Sequence, residues 1–346
     1  MELLKSKTKV FLVLFSSLIF SFSCKEVTPT AILKTEQGYA LGTTYLIKYE
    51  VKNDTLSLLN DIENVFSSVN KSMSTYLPTS DISKINKGDS TVVIDEYFKE
   101  VFLKSKEVWK NSNGKFDPTV GALVNAWGFG PESAVKKMNQ IQVDSILEFT
   151  GFDKLNLTED GRIIKSNPYV YLDFNALAKG YTIDLIGRTF DEKGIKNYLI
   201  EVGGEILTKG KNTKTIKNWM VAIDHPLQNE GERVIIQKVS LENKAMATSG
   251  NYRKFRVDEK TGEHYVHTIN PKTGYPQKST VLSVSVIAPT CMEADAYATA
   301  FMVMSIDESK SLLKKMNHLD AYIISTDKDG DLVEYKTKGF QELLVD

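Results

Sequence analysis

The chain has 346 residues, and 42% of them are hydrophobic, which is enough apolar material for one large core or two modest ones. This composition argues against a disordered chain. Its 43 basic and 44 acidic residues leave a formal net charge of -1, which provides no basic surface for nucleic acid. We therefore expect a small molecule or another protein as the partner.

The N-terminus has the three parts of an export signal. Early lysines precede an apolar stretch at residues 10–20, too short to span a bilayer comfortably, and a small-residue segment that ends in Cys24. This pattern resembles a bacterial lipoprotein signal, with residues 1–23 removed and Cys24 lipidated. Ser21 stands where the commonest form of that signal has leucine, and a plain secretory signal is the alternative. Both signals predict export to the cell envelope, and the lipoprotein form predicts a membrane anchor on the periplasmic face.

The two cysteines of the chain fit the lipoprotein interpretation. If Cys24 carries the lipid, Cys291 stands alone, and no intrachain disulfide can form. We expect Cys291 to be a small core residue near the end of a strand. Residues 24–37 are predicted to tether the lipid to a folded body at 38–346.

The hydrophobic pattern of the body predicts more strands than helices in its second half. Strands are predicted at 38–51, behind a turn at Gly42, and at 169–174, 197–202, 219–224, 234–241, 244–250 and 281–288. Helices are predicted at 56–69, 96–109, 133–149, 293–302 and from Ala178 onward. Strands that follow one another favour an α+β fold with largely antiparallel sheets flanked by helices, in a two-lobed single body. Gly203-Gly204 lacks the third glycine of a dinucleotide fingerprint.

Residues 115–130 form an unusual run. It contains Asp117, a helix-start proline and a closing aromatic turn with two glycines. Such a turn lets the backbone approach a flat ligand closely. An ordinary hydrophobic corner is the alternative.

An acid and a lysine flank the point where the predicted strand at 169–174 leads into a helix. Asp173 lies near the strand end, and Lys179 falls in the first helical turn. The helix dipole disfavours a lysine there unless an anion is bound nearby. The alternative is a solvated lysine beside a capping carboxylate.

His267 is one of only four histidines, and it lies in a short strand-like segment before a turn with proline and glycine. A histidine there can exchange protons near neutral pH, which would serve a reaction that activates a hydroxyl. A histidine that only hydrogen-bonds the turn is the alternative.

Asp295 and Thr299 are four residues apart on a predicted helix. They therefore share one face and can offer a carboxylate and a hydroxyl to a hard cation such as Mg²⁺. A backbone carbonyl, waters and substrate phosphates would have to complete the octahedron. Alternatively, Thr299 donates to the carbonyl of Asp295, as helical threonines commonly do.

Eight short motifs together resemble those of the FAD:protein FMN transferases (ApbE-type flavin transferases), and they follow that family's order. They lie at residues 42–43, 73–76, 116–130, 173–180, 202–204, 247–253, 267–274 and 294–299. The resemblance covers the body from about residue 36 to the C-terminus.

The resemblance implies a Mg²⁺-dependent transfer. FAD is split at its pyrophosphate, AMP leaves, and FMN is joined by a phosphoester bond to a threonine or serine hydroxyl of an acceptor flavoprotein. It also implies that Asp295, Thr299 and the Ala176 carbonyl hold the cation, and that His267 is the base. The implied FAD contacts are Leu41, Tyr76, Lys115, Phe116, Asp117, Asp173, Lys179 and His267.

Two departures from the family pattern affect these expectations. Leu41 replaces a methionine, an apolar exchange of similar size that should keep the contact. Residues 174–176, Phe-Asn-Ala, replace a segment that usually has glycines. A carbonyl ligand needs no particular side chain, so the metal site should be kept, but the path of the backbone there can differ. Two other functions are possible, namely an FAD pyrophosphatase with water as the acceptor and a non-catalytic flavin-binding lipoprotein. The intact Asp295 and Thr299 pair argues against the second.

Overall fold

The structure is a computed structural model that describes residues 31–131, 138–228, 232–250, 255–257, 264–277 and 280–345. The predicted signal peptide, Cys24 and the beginning of the predicted tether lie outside these residues. From Ala31 onward the chain forms one unit. None of the helices in the described ranges is long and apolar enough to cross a membrane.

Strands and helices are numbered here in chain order. The strands are β1 (Ile32–Ala40), β2 (Thr43–Val51), β3 (Leu155–Leu157), β4 (Ile163–Lys165), β5 (Tyr198–Val202), β6 (Glu205–Lys209), β7 (Trp219–Asp224), β8 (Ile235–Leu241), β9 (Ala245–Gly250), β10 (Phe255–Val257), β11 (His264–Val266), β12 (Val281–Ala288), β13 (Asp320–Thr326), β14 (Leu332–Lys336) and β15 (Leu344–Val345). The helices are α1 (Leu59–Met73), α2 (Asp81–Asn86), α3 (Glu96–Asn111), α4 (Gly121–Ala126), α5 (Gln140–Leu147), α6 (Ala178–Glu192), α7 (Cys291–Val303), α8 (Ile306–Lys315) and α9 (Lys338–Gln341).

An eight-stranded sheet forms the centre of the fold. Its strand order is β1-β2-β5-β6-β9-β12-β13-β14, and every neighbouring pair is antiparallel. A second sheet has the order β15-β8-β7, and β3-β4 and β10-β11 form small hairpins. Helices α6 and α7 pack against this central sheet and against each other. The predicted α+β class with antiparallel sheets and flanking helices is confirmed.

The predicted boundary between the tether and the body differs from the structure. Residues 32–37, assigned to the tether, are the first part of β1, which pairs with β2 from Ile32 opposite Val51 to Ala40 opposite Thr43. The strand was missed because β1 is an edge strand with no fully buried residue, so its hydrophobic alternation is weak. The turn between the strands has Leu41 at φ 51° and Gly42 at φ 74°, as a two-residue hairpin requires.

The predicted strand at 169–174 is not a regular strand. Only Tyr171 forms a bridge, with Val120, and the backbone of Leu172 is bound by a side chain instead. Asn86 accepts from the Leu172 N–H and donates to its carbonyl, both at 2.8 Å. Alternate side chains of the segment are buried, namely those of Val170, Leu172 and Phe174. The apolar pattern therefore reflects burial without strand pairing.

Helix α7 is almost entirely buried, and it contains two of the three predicted metal ligands, Asp295 and Thr299. Four small alanines let it lie against β9, β12 and α6, and only Thr299 is partly exposed. Asp184 of α6 caps its N-terminus, since its carboxylate accepts from the N–H groups of Cys291 at 2.8 Å and Met292 at 2.9 Å. Burial raises the pKa of Asp184 to about 6. Cys291 is a buried free thiol, as expected.

Candidate functional site

Two hairpin turns meet at one end of the central sheet. The Gly203 N–H donates to the Thr44 carbonyl at 3.0 Å, which ties the β5–β6 turn to the start of β2. Gly203 has φ 62° and Gly204 has φ 99°, a backbone that L side chains rarely adopt. A Cβ on Gly203 would also lie 2.7 Å from Cγ2 of Thr43. The two glycines therefore set the position of Glu205, the first residue of β6, directly after a turn that contacts Thr43 and Thr44.

Three charged side chains meet at the start of α6. The Lys179 ammonium forms an ion pair with Oε1 of Glu205, and the Gly180 N–H donates to Oδ2 of Asp295 at 3.2 Å. Glu205 is 5% exposed and Asp295 is 3% exposed. The negative charge beside this helical turn therefore comes from the protein's own carboxylates.

For Lys179 and Asp295, burial and neighbouring charges have opposite effects on the pKa. Burial lowers the pKa of the Lys179 ammonium, but the Glu205 and Asp295 carboxylates outweigh burial and hold that pKa above the usual lysine value. Burial raises the pKa of Asp295, and Lys179 opposes this rise. The three side chains therefore form one electrostatic unit.

Asp295 reaches α6 because two helix starts approach closely at Gly180. A Cβ on Gly180 would lie 2.4 Å from the carbonyl oxygen of Cys291 and 2.8 Å from the nitrogen of Met292. Both contacts are with backbone atoms. Glycine is therefore required where α6 crosses the start of α7, and Asp295 lies one turn further along α7.

The predicted cation ligands lie around the same crossing. The hydroxyl of Thr299 is 3.5 Å from Oγ of Ser249, at the end of β9. Thr182 of α6 shows the arrangement that was the alternative for Thr299, because its hydroxyl donates to the Ala178 carbonyl one turn earlier in the same helix. Ala176 lies two residues before α6, whose Gly180 N–H contacts Asp295.

The chemistry of these donors suits a hard cation. Within the described residues, no group of three or more His, Cys, Asp or Glu side chains could hold a metal ion. The predicted set instead combines the Asp295 carboxylate, the Thr299 hydroxyl and the Ala176 carbonyl, all of which are oxygen donors. Such a set fits Mg²⁺, which usually retains waters and binds substrate phosphates.

Asp173 and Tyr76 form a second pair. The Asp173 N–H donates to the Pro118 carbonyl at 2.7 Å, which ties this loop to the segment before α4. Burial raises the pKa of Asp173, although its Oδ1 accepts from the Asn175 N–H at 2.8 Å. Partial burial and then the Asp173 carboxylate raise the pKa of the Tyr76 hydroxyl. Tyr76 is 62% exposed and can therefore offer its ring to a ligand.

The side chains of the 115–117 run point into the protein or toward α8. The buried Asp117 carboxylate accepts from the indole N–H of Trp109 at 3.0 Å, from the Thr119 N–H at 2.9 Å and hydroxyl at 2.6 Å, and from the Phe152 N–H at 3.1 Å. Phe116 is 2% exposed, and the Lys115 ammonium lies 3.7 Å from Glu308. Asp117 and Phe116 therefore support this loop from within the protein.

His267 lies on a loop that the aromatic turn supports. The histidine is half-buried and follows β11. The Trp127 indole N–H donates to the Gly274 carbonyl at 2.8 Å, and the rings of Trp127 and Tyr275 are 5.5 Å apart. Trp127 also belongs to a small apolar cluster with Ile269, so the alternative of a hydrophobic corner describes its side chain well.

The structure brings together Lys179, Asp295 and the start of α6, and Gly203 ties the β5–β6 turn to Thr43 and Thr44, which follow the Leu41 turn in the chain. It adds Glu205 and Ser249, which the sequence did not single out as site residues. The signal for Glu205 was its position directly after Gly203-Gly204, a pair of glycines that is weak as a dinucleotide signal but belongs to one of the eight family motifs.

Comparisons with known proteins identify the family of the chain. Residues 41–323 match the model of the ApbE family. An FAD:protein FMN transferase from Haemophilus influenzae is 33% identical over 332 residues, which cover 93% of each chain. The structure of the flavin transferase ApbE from Vibrio cholerae has a TM-score of 0.80 at 31% identity, covering 91% of this chain and 100% of that one. The apo flavinyl transferase ApbE from Pseudomonas stutzeri has a TM-score of 0.79 at 28% identity, covering 90% and 97%. The chain therefore belongs to the ApbE family of FAD:protein FMN transferases.

Proposed function

We propose that this protein transfers the FMN part of FAD to a threonine or serine hydroxyl of an acceptor protein, releases AMP, and requires Mg²⁺. The observation that carries the proposal is the contact of Asp295 with the Gly180 N–H at the start of α6, where Lys179 pairs with Glu205. Ala176 lies two residues before this helix, and Thr299 lies one turn after Asp295. A pyrophosphate needs cations and donors at such a place. Family membership supports the same activity.

In this proposal the protein positions FAD and compensates the charge of its phosphates. Asp295, Thr299 and the Ala176 carbonyl would hold Mg²⁺, which when bound would neutralise negative charge on the pyrophosphate oxygens. Lys179 and the positive end of the α6 dipole would face the same phosphates. The exposed Tyr76 ring, Asp173 and the Leu41 turn would contact the flavin or adenine part.

The transfer forms one bond and breaks one. The acceptor hydroxyl oxygen bonds to the phosphorus of the FMN part, and the bond from that phosphorus to the bridging oxygen breaks, so its electron pair leaves with AMP. His267 takes the proton of the hydroxyl. Because the substitution is mainly a matter of positioning and charge, proton removal contributes only part of the rate.

We expect His267→Ala to lower the rate constant for transfer about 10²- to 10⁴-fold, the usual effect of losing one acid–base group. The dissociation constant for FAD should change much less. Single-turnover kinetics and flavin fluorescence titration measure the two quantities. His225→Ala, in the turn after β7, is the control, and an unchanged transfer rate in His267→Ala would rule out His267 as the base.

The full chain, purified in detergent, can be mixed with FAD, Mg²⁺ and a cell-envelope extract. We expect a fluorescent, flavin-labelled band on a denaturing gel and AMP on a chromatogram, both lost when EDTA is added. Free FMN and AMP without a labelled band would instead indicate a pyrophosphatase. Intact FAD in the presence of Mg²⁺ would indicate a flavin-binding protein without this activity.

We also propose that Cys24 carries a lipid that anchors the protein in the cell envelope, which the sequence pattern at residues 10–24 supports. Cys24→Ala should therefore move the protein from the membrane fraction to the soluble fraction or leave the signal uncleaved. Fractionation with immunoblotting measures this. Normal processing and membrane retention of Cys24→Ala would contradict the anchor.

A further inference from the structure

Glu205 is positioned by the tight glycine turn that precedes it. It follows two consecutive glycines with φ 62° and 99°, and its side chain is 6% exposed. Its Oε1 forms the ion pair with Lys179. The tight turn therefore brings a buried carboxylate directly against the ammonium at the start of α6.

The second oxygen of Glu205 distinguishes it from the structural carboxylates of this chain. Oε2 is buried without a hydrogen-bond partner in the described part of the protein. Glu50, another buried glutamate of the central sheet, uses both oxygens, because Oε1 accepts from the Thr213 N–H at 3.0 Å and Oε2 accepts from the Asn197 amide at 3.0 Å. Asp184 likewise uses both oxygens to cap α7.

This difference indicates what the Glu205 carboxylate does. A buried carboxylate that served the fold would be expected to have both oxygens hydrogen-bonded, since an unpaired buried oxygen is unfavourable. Glu205 instead contributes one contact, and that contact is with Lys179. We therefore attribute the burial of the Glu205 carboxylate to its interaction with Lys179.

We propose that Glu205 is a positioning residue for the transfer, which holds the Lys179 ammonium in place and compensates its charge so that Asp295 is free to bind the cation. This inference rests on the proposed function.

Charge balance in the cluster supports the division of roles. Lys179 interacts with both Glu205 and Asp295. A cation bound to Asp295 would neutralise the charge of that carboxylate and repel the neighbouring Lys179 ammonium. A buried ammonium needs a nearby negative charge, and Glu205, already paired with it, supplies one. Without Glu205, Lys179 would move away from the phosphates or compete with the cation for Asp295.

A double-mutant cycle with Glu205→Gln and Lys179→Met tests the proposal, with FAD affinity in saturating Mg²⁺ and the transfer rate as the two measurements. Glutamine keeps the size of the side chain and removes its charge. We expect Glu205→Gln to weaken FAD binding about 10-fold in the wild-type background. In the Lys179→Met background the same change should have less than about a twofold effect, because the interaction is already lost.

Glu50→Gln is the matched control, a buried glutamate of the same sheet that contacts Thr213 and Asn197. It should lower the unfolding midpoint and leave the FAD dissociation constant unchanged. Effects of Glu205→Gln and Lys179→Met that multiply, or wild-type FAD affinity in Glu205→Gln, would overturn the positioning role. The cycle measures FAD binding, so its failure can be told apart from failure of the proposed function. In the latter case the wild-type protein itself releases no AMP from FAD.

Discussion

Asp295→Ala should abolish Mg²⁺-dependent transfer while the protein remains folded. The carboxylate is the proposed charged ligand of the cation, and losing the charge stabilisation that a metal ion provides should lower the rate at least about 10³-fold. The fold should tolerate the change, because burial raises the pKa of Asp295 and thus disfavours its ionised form. AMP release from FAD, measured across a Mg²⁺ titration, gives the rate, and thermal unfolding reports the fold.

A second acidic residue of α7 provides the control for this variant. Glu293 is buried as well, but it faces His318 at 3.2 Å and Lys104 at 3.6 Å, away from the Gly180 contact. Glu293→Gln should keep its dependence on Mg²⁺. The assignment of Asp295 as a cation ligand would be wrong if Asp295→Ala still showed Mg²⁺-dependent turnover.

Gly180→Ala should destabilise the protein and disable the site together. The added Cβ would lie 2.4 Å and 2.6 Å from the carbonyl oxygen and carbon of Cys291, so the backbones of α6 and α7 would have to separate. Such overpacking typically costs about 1–3 kcal/mol, and here the opposing atoms are backbone atoms that cannot rotate away. Separation would also move Asp295 from Lys179. Urea denaturation measures the free energy of unfolding, and flavin titration measures FAD affinity.

Gly187→Ala is the matched control because it lies on the same helix. Its Cβ would lie 2.6 Å from Cδ2 of Leu207 and 3.1 Å from the Tyr198 hydroxyl, and both are ends of side chains that can shift. Both variants gain the same helix propensity, about 1 kcal/mol. Equal stability of Gly180→Ala and Gly187→Ala would show that the close approach to Cys291 does not limit the fold.

The local sequence pattern was sufficient to predict helices and strands whose periodicity and caps lie within the element itself. The predicted strands at 219–224 and 281–288 are β7 and β12, and the helix predicted from Glu96 begins there as α3. Asp95 explains this start, since its carboxylate accepts from the Phe98 N–H at 2.8 Å. Periodicity and helix caps depend on neighbours in the chain, so they can be recognised without knowledge of the fold.

Pattern failed where a distant group decided the local structure. Residues 169–174 have the apolar alternation of a strand, but Asn86, which is 86 residues from Leu172, supplies the hydrogen bonds that a neighbouring strand would give. The carboxylate of Asp117 also depends on groups outside its own motif, because the N–H groups of Trp109 and Phe152 donate to it. In both cases the partner of a polar group is set by packing.

The sequence by itself determined the residue types of the site: a lysine in the first turn of α6, and a carboxylate and a hydroxyl one turn apart on α7. Only the tertiary structure decided which charges meet. Lys179 and Glu205 are 26 residues apart, and Gly180 and Asp295 are 115 apart. These contacts exist because paired glycines turn the β5–β6 hairpin and a third glycine lets two helix backbones touch. Burial and ion pairing depend on such approaches in space, which one-dimensional patterns do not encode.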